Sequence, residues 1–193
     1  SLIAGGRFVH NESFGNKFVP RTAITLLVLK GGQFWTGTRL TFSYATGIKE
    51  PTFAESFGNG GGFPTLPNPD LKPEETRAFE TGFEQRVLSN YSFSATYFNE
   101  LFRNRIDFSF DQTCFCQGQY VNVNESMAHG AEAVFRARLT PRFSTTAAYT
   151  YTSTQILKAP FAFDSILAEG QPLLRRPKHS ATLQANYLGP RWG

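Results

Sequence analysis

Apolar and polar residues alternate with a period of two through most of this chain, a pattern that restricts it to β-strands with two unlike faces. Phe79, Thr81, Phe83 and Val87 fall on one side of a strand, with Glu80, Gly82, Glu84 and Arg86 on the other. Ala131, Ala133, Phe135, Ala137 and Leu139 oppose Gly130, Glu132, Arg136 and Arg138. Phe143, Ala147, Tyr149 and Tyr151 alternate with Ser144, Thr146, Thr150 and Thr152. Ala181, Leu183, Ala185 and Tyr187 alternate with Ser180, Thr182, Gln184 and Asn186, and Leu40, Phe42 and Tyr44 with Arg39, Thr41 and Ser43. Phe is abundant, and aromatics with Thr, Ser and Gly suit strands and turns better than helices. The formal charge of +4 is dispersed along the chain, unlike the clustered basic face of a nucleic-acid binder.

Eight strands are predicted, at about 2–10, 17–29, 34–46, 75–88, 91–108, 119–139, 143–155 and 177–188. Their connections alternate in length. Short turns fall at Lys30-Gly31-Gly32-Gln33, Ser89-Asn90, Thr140-Pro141-Arg142 and Gly189-Pro190-Arg191. Longer loops are expected at 11–16, 47–74, 109–118 and 156–176. Two architectures fit the alternation itself. A soluble sandwich packs its apolar face on a second sheet, whereas a wide membrane barrel turns that face to lipid and its polar face to a lumen. The ordered succession of short and long connections favours the barrel, since a sandwich with Greek-key connections has no reason to keep it.

No apolar run approaches the roughly 20 residues of a membrane-spanning helix; Ala23–Leu29, broken by Thr25, is the longest. A membrane barrel escapes that test, because only alternate residues face lipid. Aromatics near strand ends, at Phe34-Trp35, Tyr91, Phe143, Tyr187 and Trp192, fit an interfacial girdle as well as ordinary core packing. The chain opens at Ser1 in a strand-like run without a signal peptide, and Leu188–Gly193 reads as a turn into another strand. An excerpt of a longer protein is therefore expected.

Several segments resemble the barrel of TonB-dependent outer-membrane receptors. Tyr44–Glu55 is similar to the family's strand-to-loop passage, with an aromatic, Gly47 and then Lys49-Glu50-Pro51. Asn68-Pro69-Asp70-Leu71-Lys72-Pro73-Glu74 resembles its NP-[DN]-L-x-PE step, and Glu80-Thr81-Gly82-Phe83-Glu84 its E-x-G-x-E pattern. Ala95–Phe98 with Arg105-Ile106-Asp107, Tyr120–Val123 with Gly130-Ala131-Glu132, and Arg175–Ala181 follow in family order. The Gly-rich stretch Gly58–Gly62 departs from the pattern. The resemblance implies an all-β, antiparallel up-and-down meander forming part of a transmembrane barrel of about 22 strands. Residues 1–193 would then be one partial barrel domain of about eight strands, the plug domain, TonB-contacting box and closing strands lying outside it. It also implies active uptake of a large scarce nutrient, an iron–siderophore complex first and a cobalamin-like corrinoid second. The implied partners are outer-membrane lipid, the receptor's own plug, TonB and the nutrient.

The charged residues Arg39, Glu80, Glu84, Arg86, Glu132, Arg136 and Arg138 are expected to face the lumen, where carboxylates are easily solvated and against lipid they are not. An ion-paired, solvated wall is the first reading for them, with direct ligand contact second. Cys114-Phe115-Cys116 lies in an expected outer loop; a disulfide is favoured there, ahead of free or partner-linked thiols and of a metal site lacking a nearby His. His10, His129 and His179 are far apart and read as surface or rim residues. Gly58–Gly62 opens no expected helix and lacks a following Lys-Ser/Thr, so it reads as a loop and not a phosphate cradle. No nucleophile elbow or H-E-x-x-H motif is present, and no catalytic function, cofactor or metal is expected. A passive porin-type barrel and a soluble β-sandwich binding module remain the alternatives.

Overall fold

A computed structural model describes residues 1–12, 14–58, 64–110, 116–159, 168–173 and 175–189. These form one sheet. Its strands are β1 (Leu2–Asn11), β2 (Gly15–Lys30), β3 (Trp35–Lys49), β4 (Thr65–Leu66), β5 (Glu74–Val87), β6 (Tyr91–Phe110), β7 (Gly118–Thr140), β8 (Phe143–Lys158) and β9 (His179–Tyr187), with a short helix α1 (Phe53–Phe57) between β3 and β4. The spatial order is β1-β2-β3-β5-β6-β7-β8-β9, an antiparallel meander in which sequence neighbours pair. Only β4 leaves this path, pairing in parallel with Gly118–Gln119 of β7. The sheet is open, with β1 and β9 as its edges.

Turn chemistry sets the tight connections. Gly31 takes the positive φ required after β2, and the Leu88 N–H, at the start of the β5–β6 turn, extends the β3–β5 pairing by donating to the Phe34 carbonyl at 2.7 Å. Thr140 Oγ1 accepts from the N–H groups of Arg142 and Phe143, capping the β7–β8 turn.

Residues directly opposite in an antiparallel pair share a face. Pairing from β2 to β9 lines up Leu26, Leu40, Phe83, Ala95, Ala133, Tyr149 and Ala181 in one row. The next row, on the opposite face, is Leu27, Arg39, Glu84, Ser94, Val134, Ala148 and Thr182. The alternation in the sequence is thus kept in register across the wall.

The greasy row is not covered. Phe83 is 38% exposed and Tyr149 46%, and Phe79, Phe93, Tyr97 and Phe135 are exposed to a similar degree. Among the described residues the buried apolar side chains are few and scattered: Leu71, Pro73, Ile106, Val134, Ala137 and Ile156. No second sheet packs on the first among the described residues, which removes the sandwich alternative. A contiguous apolar surface of this extent requires a non-aqueous solvent, and a two-faced strand wall meets one in a bilayer.

Two features differ from the sequence expectation. The loop expected at 11–16 is a tight hairpin, because β1 runs to Asn11 and β2 begins at Gly15. The loop expected at 47–74 contains α1 and β4, so there are nine strands among the described residues and not eight. The Asn68 side-chain amide donates to the Tyr120 carbonyl at 2.8 Å. Pro20 lies inside β2, opposite Gly6, away from any strand end. The turn at Pro190-Arg191, Trp192 of the aromatic girdle and Asn59–Gly62 of the Gly-rich stretch lie outside the described residues.

The facing of the sheet gives a direct expectation. Phe83→Arg in the complete barrel should destabilise it by about 2–4 kcal/mol in lipid refolding titrations, whereas Thr150→Arg on the polar face should cost far less. Equal costs for the two would contradict this facing.

Candidate functional site

The polar face carries all seven of the charged residues singled out from sequence. Arg39 pairs with Glu84, Glu80 with Ser43, Arg86 with Ser92 and Ser92 with Arg136, Glu132 with Thr96, and Arg138 with Ser144. The structure brings only some of them together. Glu84 receives both Arg39, at 3.3 Å, and Arg86, at 2.8 Å, one on each carboxylate oxygen. These side chains are partly exposed, where an ion pair contributes about 0–1 kcal/mol, so they shape the local potential more than the stability. Glu80 accepts a bond from Ser43 Oγ at 3.3 Å.

At the short-turn end the polar face encloses a concavity of about 750 Å³, lined among others by Thr36, Glu84, Arg86, Arg136, Arg138 and Thr146. Thr36 on β3 and Thr146 on β8 stand four strand spacings apart, about 19 Å in a flat sheet. Their sharing one hollow means that the sheet curls toward its polar side. Three arginines against one glutamate make the hollow cationic. Glu80 and Glu132 lie farther up the wall and do not line it.

The opposite end is built differently. The segment between β4 and β5 lies against β7, and Asn122 holds it there. Asn122 Oδ1 accepts from the Lys72 N–H at 2.8 Å, while its Nδ2 donates to the Lys72 and Asn104 carbonyls at 2.9 and 2.8 Å. Asn68 bonds Tyr120, and Gln119 Nε2 donates to the Pro67 carbonyl at 2.9 Å. Leu71, 2% exposed, and Pro73 are sealed beneath this strap, and Glu74 Oε1 accepts from the Ile106 N–H. The motif 68–74 is therefore a strap fixed across the wall.

Helix α1 stands beside the strap. Thr52 caps it, with its Oγ1 accepting from the Glu55 N–H and the Glu55 carboxylate accepting from the Thr52 N–H at 2.6 Å. Lys49 bridges Glu55 and Glu74 at 3.7 and 3.4 Å. Partial burial of Glu55 would raise its pKa, but the Thr52 hydrogen bonds and the Lys49 charge outweigh it and hold the carboxyl below its ordinary range. Sequence reasoning missed α1, although Thr52-x-x-Glu55 is a capping-box signal. It also missed Asn122, for which no local signal exists.

The remaining candidates are dispersed. His10 Nδ1 lies 2.6 Å from Asn16 Oδ1, His179 Nδ1 lies 2.7 Å from the Tyr149 hydroxyl, and His129 is half-buried in β7. Cys116 is disulfide-bonded, and Cys114 lies outside the described residues. No group of three metal-ligating side chains converges among the described residues.

An open meander with an exposed apolar face, a polar concave face and a strap at one end is a section of an outer-membrane β-barrel wall. The family profile of the TonB-dependent receptor-like β-barrel matches residues 1–193, and the chain belongs to that family. It is 28% identical, over 92% of its own length and 28% of the relative's, to the iron-regulated outer membrane virulence protein of Vibrio cholerae serotype O1. It is 26% identical to the probable TonB-dependent siderophore receptor PiuA of Acinetobacter baumannii, covering 86% of this chain and 22% of that one. The siderophore receptor PirA of Acinetobacter baumannii superposes with a TM-score of 0.69 at 18% identity, over 96% of this chain and 28% of that one, a likeness of fold. The chain thus spans less than a third of each relative's length, and its place is the bacterial outer membrane.

Two measurements probe this end of the wall. Asn122→Leu orphans the groups that Asn122 bonds, and should lower local stability at the Lys72 amide by about 1–3 kcal/mol in hydrogen exchange; Asn122→Asp, which keeps the acceptor, should fall between. A carboxyl depressed in the folded state stabilises above its unfolded pKa, and that contribution is lost as pH falls through the folded value. A spin label at Ala54→Cys should therefore keep constant mobility from neutral pH down to the ordinary glutamate value near 4.5 and loosen below it. Glu55→Gln should remove the dependence.

Proposed function

We propose that this chain is part of the wall of an energised importer for a large scarce nutrient, an iron–siderophore complex before a corrinoid. The observation that carries the reading is full-length membership of the TonB-dependent receptor barrel family together with relatives named for iron regulation and siderophore reception. In this reading Arg39, Glu80, Glu84, Arg86, Glu132, Arg136 and Arg138 line the lumen. The receptor's own plug occupies that lumen, and TonB supplies the work from the inner membrane. The strap 68–74 narrows the outer mouth, so cargo meets fixed backbone there and not an open pore. Cys114 and Cys116 close a disulfide in the β6–β7 loop.

The supporting geometry is the cationic hollow at the short-turn end, where Arg136 and Arg138 leave positive charge beyond what Glu84 offsets. Such a surface favours acidic side chains of a plug or an anionic chelate.

Uptake of radioactive iron in cells carrying or lacking the full-length receptor tests the reading. Saturable uptake of a ferric siderophore that stops when the proton gradient is dissipated is expected. Uptake that rises linearly with concentration and ignores the gradient would favour a passive porin. Cobalamin uptake with no ferric transport would select the corrinoid.

A further inference from the structure

From β5 to β7 the polar face is cationic at the short-turn end and acidic above it. Leu88, Ser89 and Asn90, at the β5–β6 turn, help to line the hollow there, so it opens at that rim. Long loops mark the other rim as external, which makes this one periplasmic. Strand pairing sets the cations among hydroxyls. Ser92 is paired with both Arg86 and Arg136, Thr146 faces Arg136 from β8, and Ser144 faces Arg138. Arg136 and Arg138 stand about 7 Å apart on one strand, and Arg86 lies two strand spacings away, about 10 Å. Farther up, Glu80, Glu100 and Glu132 form no ion pair among the described residues.

Two of the three guanidinium groups have no carboxylate to hold. Glu84 takes Arg86 at 2.8 Å and Arg39 at 3.3 Å, one on each oxygen. Arg136 and Arg138 are exposed and form no ion pair among the described residues. A guanidinium fork matches anionic oxygens in pairs. Three forks spread over about 10 Å suit a ligand that carries several such oxygens around its rim. The volume of about 750 Å³ falls within the range of small-molecule sites, about 300–1,000 Å³. Exposure to solvent keeps each contact weak, up to about fivefold in affinity. Weakness suits passage, because a site on a transport path must release what it binds.

We propose that Arg86, Arg136 and Arg138 form an exit site for an anionic metal chelate. The chelate occupies it after TonB has displaced the plug and before the cargo enters the periplasm. The site presupposes the energised importer and narrows its cargo to chelates that carry negative charge. Capture belongs to the outer mouth, at the other end of the wall. The hollow draws the anion to the inner rim and, being open and solvated, lets it go.

The test measures radioactive iron uptake by cells carrying the full-length receptor, with a trianionic ferric tris-catecholate and an uncharged ferric tris-hydroxamate as probes. Wild type should import the trianionic chelate while the proton gradient is intact. Arg136→Gln with Arg138→Gln should slow that uptake at saturation by about tenfold. The concentration for half-maximal surface binding in de-energised cells should not move, which also shows that the variant is folded. Arg136→Lys with Arg138→Lys should keep most of the rate. Should the double variant lose surface binding, Arg138→Gln alone takes its place and should slow uptake about threefold. A folded variant that imports as wild type does would overturn the proposal, as would equal slowing of both chelates or a wild type that imports only the uncharged one. Faster uptake, or a plug newly open to trypsin at rest, would assign the arginines to holding the plug and overturn it too. A wild type that imports neither chelate would instead defeat the importer reading itself.

Discussion

Backbone pairing carries this structure in a way that side-chain packing does not. Each long strand pairs over most of its length with its neighbours in the sheet, which has β1 and β9 as its edges. In hydrocarbon an unpaired peptide group costs several kcal/mol, so closure by lateral pairing is compulsory. With that term fixed, a packed interior becomes dispensable: the side chains need only sort between two solvents. The scattered buried residues and the exposed phenylalanines follow from this single requirement.

Residues that obey that sorting were legible in the sequence. The alternations at 79–87, 131–139 and 181–187 report which solvent each side chain meets, a property local to one strand. The turns at Gly31, Asn90 and Pro141 were legible for a similar reason, since each encodes its own backbone geometry. Together they gave the fold class and nearly all strand positions.

What escaped was non-local. Asn122 looks like any strand asparagine until the strap from a distant loop lies beside it and its side chain bonds both backbone groups of Lys72. Likewise β4 exists only because that edge of β7 is free. The loop expected at 11–16 is instead a continuation of the β1–β2 ladder, with His10 opposite Asn16 and Asn11 opposite Gly15, a cross-strand register that no single position announces. Among the lumen candidates, sequence assigned the face of each charge, while the Arg39–Glu84–Arg86 grouping required the register between β3 and β5.

Pro20 has a consequence for the upper wall. Its carbonyl faces β3 and is taken by the Thr46 hydroxyl at 3.2 Å, and its missing N–H would have pointed the same way. The β2–β3 ladder accordingly ends at Arg21 and Ala45, while β1 and β2 stay zipped to Asn11 and Gly15. The tip of that ribbon is fastened to the rest by Lys17 on Glu75 and by Asn11 on Glu50. The crown is buttoned on by polar contacts and the base is stitched by peptide groups, so concentrated salt loosens the one and leaves the other intact.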